Sequence, residues 1–212
     1  MIQKICFLFV AVLFLEMVGD PEKGVTAAQD RLIVAFGDSL TAGLGVAVDQ
    51  SYPAILERKI KEAGYPYRVL NSGVSGETTA GGLRRVDWVL RSRPDIVLLE
   101  LGANDGLRGL NPDQTEKNLE EIITRLRKEG VTVVLAGMKM PPNYGKEYTD
   151  RFEKIYPTLA NRHGIRLIPF FLDGVATHTE LNQADGIHPT AEGYRVIVDR
   201  IWGIVEPLLR KD

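Results

Sequence analysis

Short apolar runs rich in β-branched residues alternate with stretches in which apolar positions recur every three or four residues, from about position 31 to the end of the chain. The runs predict strands at 32–36, 67–71, 96–101, 131–138 and 166–169. Helical periodicity falls between them, at 52–63, 79–92, 148–163 and 190–209, with a further helix that opens at Asn111-Pro112 and stops at Gly130. That helix has the clearest boundaries. Asn111 is a capping residue, Pro112 suits the first position, Gln114 occupies the capping-box position, and Leu119, Ile122, Ile123 and Leu126 form one stripe. Pro94 forbids continuation of the 79–92 helix, whose inward face carries Leu83, Val86 and Leu90. A bend is expected at Pro157 in the 148–163 helix.

Strands that alternate with helices in this way form a parallel sheet covered on both faces. Right-handed crossovers then favour a doubly wound, flavodoxin-like α/β fold, with five parallel strands in a single three-layer α/β/α domain. Ligand sites in such sheets gather at the carboxyl ends of the strands, which makes those ends the places to search.

Residues 1–30 break the pattern. Lys4 precedes an apolar run over 5–15, Glu16 ends it, and a polar segment with Thr26-Ala27-Ala28 follows. This is the composition of a secretory signal peptide over 1–28, cleaved near Ala27 or Ala28, ahead of one domain over 29–212. The run is shorter than the ~20 apolar residues that span a bilayer, so a secreted or periplasmic protein with no stable span is expected. An uncleaved anchor is the alternative. The single cysteine, Cys6, lies in this segment, so the mature chain has no disulfide, no thiolate nucleophile and no cysteine-bound metal. The chain has 212 residues, 44% hydrophobic and 25% charged, with a net charge of -2. Nothing in that balance points to nucleic acid or an anionic membrane as partner.

Four segments with chemical potential all follow predicted strands. Gly37-Asp38-Ser39-Leu40 places a serine on a tight turn before a helix, where its hydroxyl is exposed. By itself this is ordinary turn chemistry. It lacks the Gly-Lys-Ser/Thr ending of a phosphate loop and the Gly-x-Ser-x-Gly of a nucleophile elbow. Asp185-Gly186-Ile187-His188 supplies a base, with Gly186 allowing the carboxylate to turn back onto the imidazole. A helix-entry turn before Pro189 explains the same residues equally well. Gly73-Val-Ser-Gly76 and Gly102-Ala-Asn104 offer a backbone N–H and a side-chain amide, the donors that a tetrahedral oxyanion needs. Singly each is a glycine-rich turn; their shared location favours a catalytic site.

In order and content, Gly37-Asp38-Ser39, Gly76, Asn104 and Asp185-Gly-Ile-His188 match the four blocks of the SGNH (GDSL) hydrolases. The surrounding sequence resembles the bacterial branch of acyl-CoA thioesterase I, lysophospholipase L1 and arylesterases, over essentially all of 31–205. The resemblance implies Ser39 as nucleophile, His188 as general base and Asp185 as its orienting carboxylate. It also implies an oxyanion hole of the Ser39 and Gly76 N–H groups with the Asn104 amide. The expected reaction is two-step ester or thioester hydrolysis through an acyl-serine, without metal or cofactor, on a small-molecule acyl ester. A carbohydrate acetylesterase is the alternative within hydrolases, and an inactive binding module is the alternative outside them.

Substrate contacts are harder to assign. Leu107, Leu110, Pro141 and Tyr144 are candidates for an acyl groove, with the loops after strands four and five. His163 reads as a helix-terminal cation, and His178 as solvated. The Arg84-Arg85 pair reads as a solvated helix face, and Asp38 and Asp105 as braces of their turns.

Overall fold

In the computed structural model, which describes residues 31–211, five parallel strands run β1 (Arg31–Gly37), β2 (Tyr67–Gly73), β3 (Ile96–Glu100), β4 (Thr132–Ala136) and β5 (Arg166–Ile168). The signal peptide expected over 1–28 lies outside the described residues. The sheet order is β2-β1-β3-β4-β5, the doubly wound arrangement expected from the strand–helix alternation. All five residues of β3 are buried. Such a central strand is covered on both faces, and each of its Ile, Val and Leu side chains gains about 1.5–3 kcal/mol from leaving water.

Among the described residues seven α-helices connect and cover the strands. They are α1 (Ser39–Ala42), α2 (Tyr52–Glu62), α3 (Thr79–Arg91), α4 (Ala103–Leu107), α5 (Pro112–Lys128), α6 (Lys146–His163) and α7 (Ala191–Val205). α2 packs on α7, while α5 packs on both α3 and α6, giving the two outer layers. Among the described residues no helix is long and apolar enough to cross a membrane.

α5 begins as its sequence requires, with the Asn111 side chain accepting from Asp113 N at 2.9 Å. Its Leu119, Ile122, Ile123 and Leu126 are buried. The capping box fails, however, because Gln114 donates to Asn118 Oδ1 at 2.8 Å one turn on. α6 runs through Pro157 as one helix.

Register sets the site. Gly37 at the end of β1 lies opposite Gly73 of β2 on one side and Glu100 of β3 on the other. The three strands therefore end level, and the segments that follow them share one rim.

Candidate active site

The turn after β1 is built from short-range contacts. The Asp38 carboxylate caps α1 by accepting from Leu40 N at 3.0 Å, which leaves Ser39 as the first helical residue. Gly37 cannot carry a side chain, because a Cβ there would lie 2.0 Å from Thr41 Oγ1 and 2.5 Å from Glu100 Oε2. That close approach draws Ser39 down over the end of β3.

The loop before α7 meets it from across the rim. Gly186 has φ +69°, a left-handed conformation that glycine adopts without strain. The bend lets Asp185 Oδ1 accept from Ile187 N at 2.9 Å and His188 N at 3.0 Å, while Oδ2 lies 2.7 Å from His188 Nδ1. His188 Nε2 lies 2.8 Å from Ser39 Oγ. These hydrogen bonds hold the Asp185 carboxyl down at about 2, the His188 backbone N–H contributing most and its ring next. Asp185 is thus an acceptor at any ordinary pH, so Nδ1 carries the imidazole proton and Nε2 is free to accept from the serine hydroxyl. Gln183 ties the two loops together, donating to Leu44 O at 2.7 Å and Pro189 O at 3.0 Å.

Asn104, on α4, donates from Nδ2 to Asp38 Oδ2 at 3.0 Å. The carboxylate fixes the amide orientation and occupies one N–H, leaving the second for another acceptor. Ser39, Gly76, Asn104 and His188 line one cleft of about 670 Å³. Its lining also includes Leu107 and Pro141, together with Leu44, Met138, Met140 and Ile187. Leu110 and Tyr144 do not line it. Tyr144 turns its hydroxyl to Leu107 O at 2.8 Å and so braces the wall from behind, while Leu110 is 41% exposed and its carbonyl accepts from Tyr148. Spacing alone could not separate wall from brace within these loops. Leu44 and Ile187 were missed, although each lies within five residues of Ser39 or His188.

Beneath Ser39 sit two buried acids. Glu100 accepts from Thr41 Oγ1 at 2.7 Å, but its Oε1 has no partner among the described residues. Complete burial, then the neighbouring Asp38 charge, pushes the Glu100 carboxyl well above its ordinary value. Burial likewise raises Asp38 to about 6, against the pull of Leu40 N and Asn104. Asp38, Tyr52, Tyr156 and Tyr194 face Glu100 from the surrounding elements, and His188 faces Asp38.

As pH rises past the ordinary value of 4.5, the unfolded chain releases the Glu100 proton while the folded chain keeps it. Wild-type stability is lost over that window until the folded group also ionises. Glu100→Gln removes the loss, so its Tm relative to wild type rises as pH is raised from about 4.5 towards neutrality. Thermal melts of both proteins across that range measure it; a pH-independent difference contradicts a neutral Glu100.

Asp38 braces its own turn as expected, whereas Asp105 accepts from Thr79 N at 2.8 Å and Thr79 Oγ1 at 2.6 Å and so ties α4 to the start of α3 and not to its own turn. The reading of Arg85 as solvated is corrected. Its side chain turns inward, 18% exposed, because the ends of β1 and β2 present carbonyls and Glu77 presents a carboxylate beneath α3. His163 ends α6 at 3.5 Å from Glu120, and His178 lies 3.5 Å from Glu180; neither lines the cleft.

A serine hydroxyl, an imidazole and a carboxylate in hydrogen-bonded series, at the carboxyl rim of a doubly wound sheet, define the class of serine hydrolases with a flavodoxin-like fold. Residues 35–196 match the GDSL-like Lipase/Acylhydrolase family, and the chain belongs to that family, whose members hydrolyse carboxylic esters. It is 42% identical to Esterase TesA of Pseudomonas aeruginosa over 184 residues, 86% of this chain and 90% of the relative. Thioesterase 1/protease 1/lysophospholipase L1 of Escherichia coli is 37% identical over 187 residues, 88% of each. A crystal structure of TesA superposes with a TM-score of 0.82 at 40% identity, covering 84% of this chain and all of the other.

Proposed function

We propose that this chain is an esterase acting on medium or long acyl esters through an acyl-Ser39 intermediate. The series Ser39 Oγ–His188 Nε2 and His188 Nδ1–Asp185 Oδ2, opening directly into an apolar cleft, carries the proposal. In the first step Ser39 Oγ bonds to the acyl carbon and its proton passes to His188 Nε2. The tetrahedral oxygen is held by the N–H groups of Ser39 and Gly76 and the second Asn104 N–H, and His188 then protonates the departing alcohol or thiol. Water, deprotonated by the same imidazole, releases the acid in the second step. Asp185 keeps the imidazole in one tautomer and stabilises its cation without taking the proton.

The cleft walls favour an acyl chain over an acetylated sugar. Leu107, Met138, Met140 and Pro141 offer contact area and few hydrogen bonds, whereas a sugar needs many polar partners. Aryl and alkyl esters, lysophospholipids and acyl thioesters share that acyl half, and the name of the Escherichia coli relative spans thioesters and lysophospholipids. Leu107→Ala tests the assignment. Against a p-nitrophenyl ester series from acetyl to palmitoyl, kcat/KM for long chains is expected to fall about 10-fold, the worth of one or two buried methylenes, with little change for acetyl. An equal fall for every length contradicts an acyl role for this wall.

We further propose that the domain is exported and that 1–28 is removed, on the strength of the Lys4 start, the apolar run and Ala27-Ala28. N-terminal sequencing of protein recovered from outside the cytoplasm tests this, and retention of Lys4 and the apolar run on the recovered protein contradicts it.

A further inference from the structure

The side chain of Arg85 reaches the ends of two strands and the turn that contains Gly76. Its Nε donates to Glu77 Oε1 at 2.8 Å and Oε2 at 2.7 Å, with a further bond from the same guanidinium to Glu77. One terminal nitrogen donates to Ser72 Oγ at 2.8 Å, and the other to Ser72 O at 2.8 Å and Gly37 O at 3.1 Å. The guanidinium also stacks 4.4 Å from the centre of the Phe36 ring. It is 18% exposed and Glu77 only 8%, so this is an interior hub and not a surface ion pair.

The contacts are arranged around one short turn. Gly37 O accepts from Val74 N at 3.0 Å as well as from Arg85, and Glu77 N donates to Val74 O at 3.0 Å. The turn from Val74 to Glu77 is therefore pinned at its first residue to the strand end that carries Ser39. At its last residue it is pinned to Arg85, which holds that same strand end. Gly76, with φ +78°, lies inside the turn. Among the described residues Arg85 is the cation hydrogen-bonded to Glu77, Ser72 and Gly37 O, while Arg108 touches the turn from its outer side, donating to Gly76 O at 2.8 Å.

We infer that Arg85 is a positioning residue of the oxyanion hole, fixing the Gly76 N–H relative to Ser39 through Gly37 O and Glu77. The inference rests on the ester-hydrolase reading above for its kinetic consequence, but not for its structural one. A planar fork with five donors makes this set of bonds, and an ammonium point charge does not. Lysine at 85 keeps the charge that Glu77 requires while losing the simultaneous hold on Gly37 O and Ser72. The turn then drifts, and misplacement of a donor by about an ångström costs up to about 100-fold in rate.

Arg85→Lys and Glu77→Gln are the variants to compare with wild type, with circular dichroism and Tm establishing that each is folded at the assay temperature. Both are expected to lower kcat for a p-nitrophenyl ester by about 10- to 100-fold, with KM within about twofold, since the hole acts on the transition state. An alkylboronic acid, whose boron bonds to Ser39 Oγ while the serine proton passes to His188, should bind more weakly by the same factor. The third readout is independent of turnover: the backbone amide signal of Gly76 in a nitrogen-15 spectrum, and its hydrogen exchange, should change in both variants while those of β3 do not. If wild type hydrolyses no ester, the catalytic reading falls, and the Gly76 amide alone decides the positioning role. An unchanged Gly76 amide in folded Arg85→Lys and Glu77→Gln overturns the inference. So does a lower Tm with kcat and boronate affinity untouched, which marks Arg85 as purely structural.

Discussion

Ser39→Ala is expected to reduce kcat for p-nitrophenyl esters by at least about 10⁴-fold while leaving Tm close to wild type. On the proposed function the hydroxyl is the group that bonds covalently to the acyl carbon, its Oγ lying 2.8 Å from the His188 imidazole. Its removal deletes the acyl-enzyme route and leaves only attack by water on a substrate held beside the remaining donors. His188→Ala should cost a similar factor, and the double variant little more than either single one, because nucleophile and base act as a unit. Near-additive losses contradict a shared step. Among the described residues the hydroxyl hydrogen-bonds His188, and α1 is capped by Asp38 without it. Stability is therefore not expected to carry the effect, and melting curves of the variants check this.

Asn104→Ala is expected to lower kcat by about 10²- to 10³-fold with KM nearly unchanged, the cost of one preorganised oxyanion donor. The structure fixes the direction of that amide. Asp38 Oδ2 accepts one N–H at 3.0 Å, which holds the side chain at the rim with its other N–H free. Asp38→Asn should then reproduce part of the loss, since a rotatable amide orients Asn104 less firmly than a carboxylate does. Steady-state kinetics on a single ester separate the cases. A rise in KM with kcat preserved in Asn104→Ala contradicts a role in the transition state and makes the amide a ground-state binding group.

Much of this site could be read from the chain because it is built from local signals at strand ends. Gly37-Asp38-Ser39 and Asp185-Gly186-Ile187-His188 owe their shapes to contacts within a few residues, namely the Asp38 cap on Leu40 N and the Asp185 bonds to Ile187 N and His188 N. The five strands and the long helices were legible for the same reason, since burial patterns repeat along each of them. α1 and α4 were read as turns because four or five residues are too few for a period to show. What escaped depends on contacts across long sequence separations. Arg85 reaches Gly37, 48 positions away, and in a charged stretch of α3 nothing distinguishes it from Arg84. Glu100 fell inside the predicted 96–101 strand with no role of its own, yet the level ends of β1 and β3 bury it under Thr41. Leu107 and Tyr144 were read alike as groove candidates, but only Leu107 lines the cleft, because a tyrosine hydroxyl's partner is set by tertiary packing and not by spacing.

The most direct measurement is covalent labelling of the folded protein with a p-nitrophenyl alkylphosphonate, followed by mass spectrometry of its peptides. Attack by Ser39 Oγ on phosphorus expels p-nitrophenolate, His188 takes the serine proton, and the alkylphosphonyl group stays on the enzyme. The account predicts one equivalent of label, on Ser39, formed in step with loss of esterase activity and abolished in Ser39→Ala. Stoichiometric inactivation with the label on another residue, or full esterase activity retained with Ser39 labelled, contradicts it.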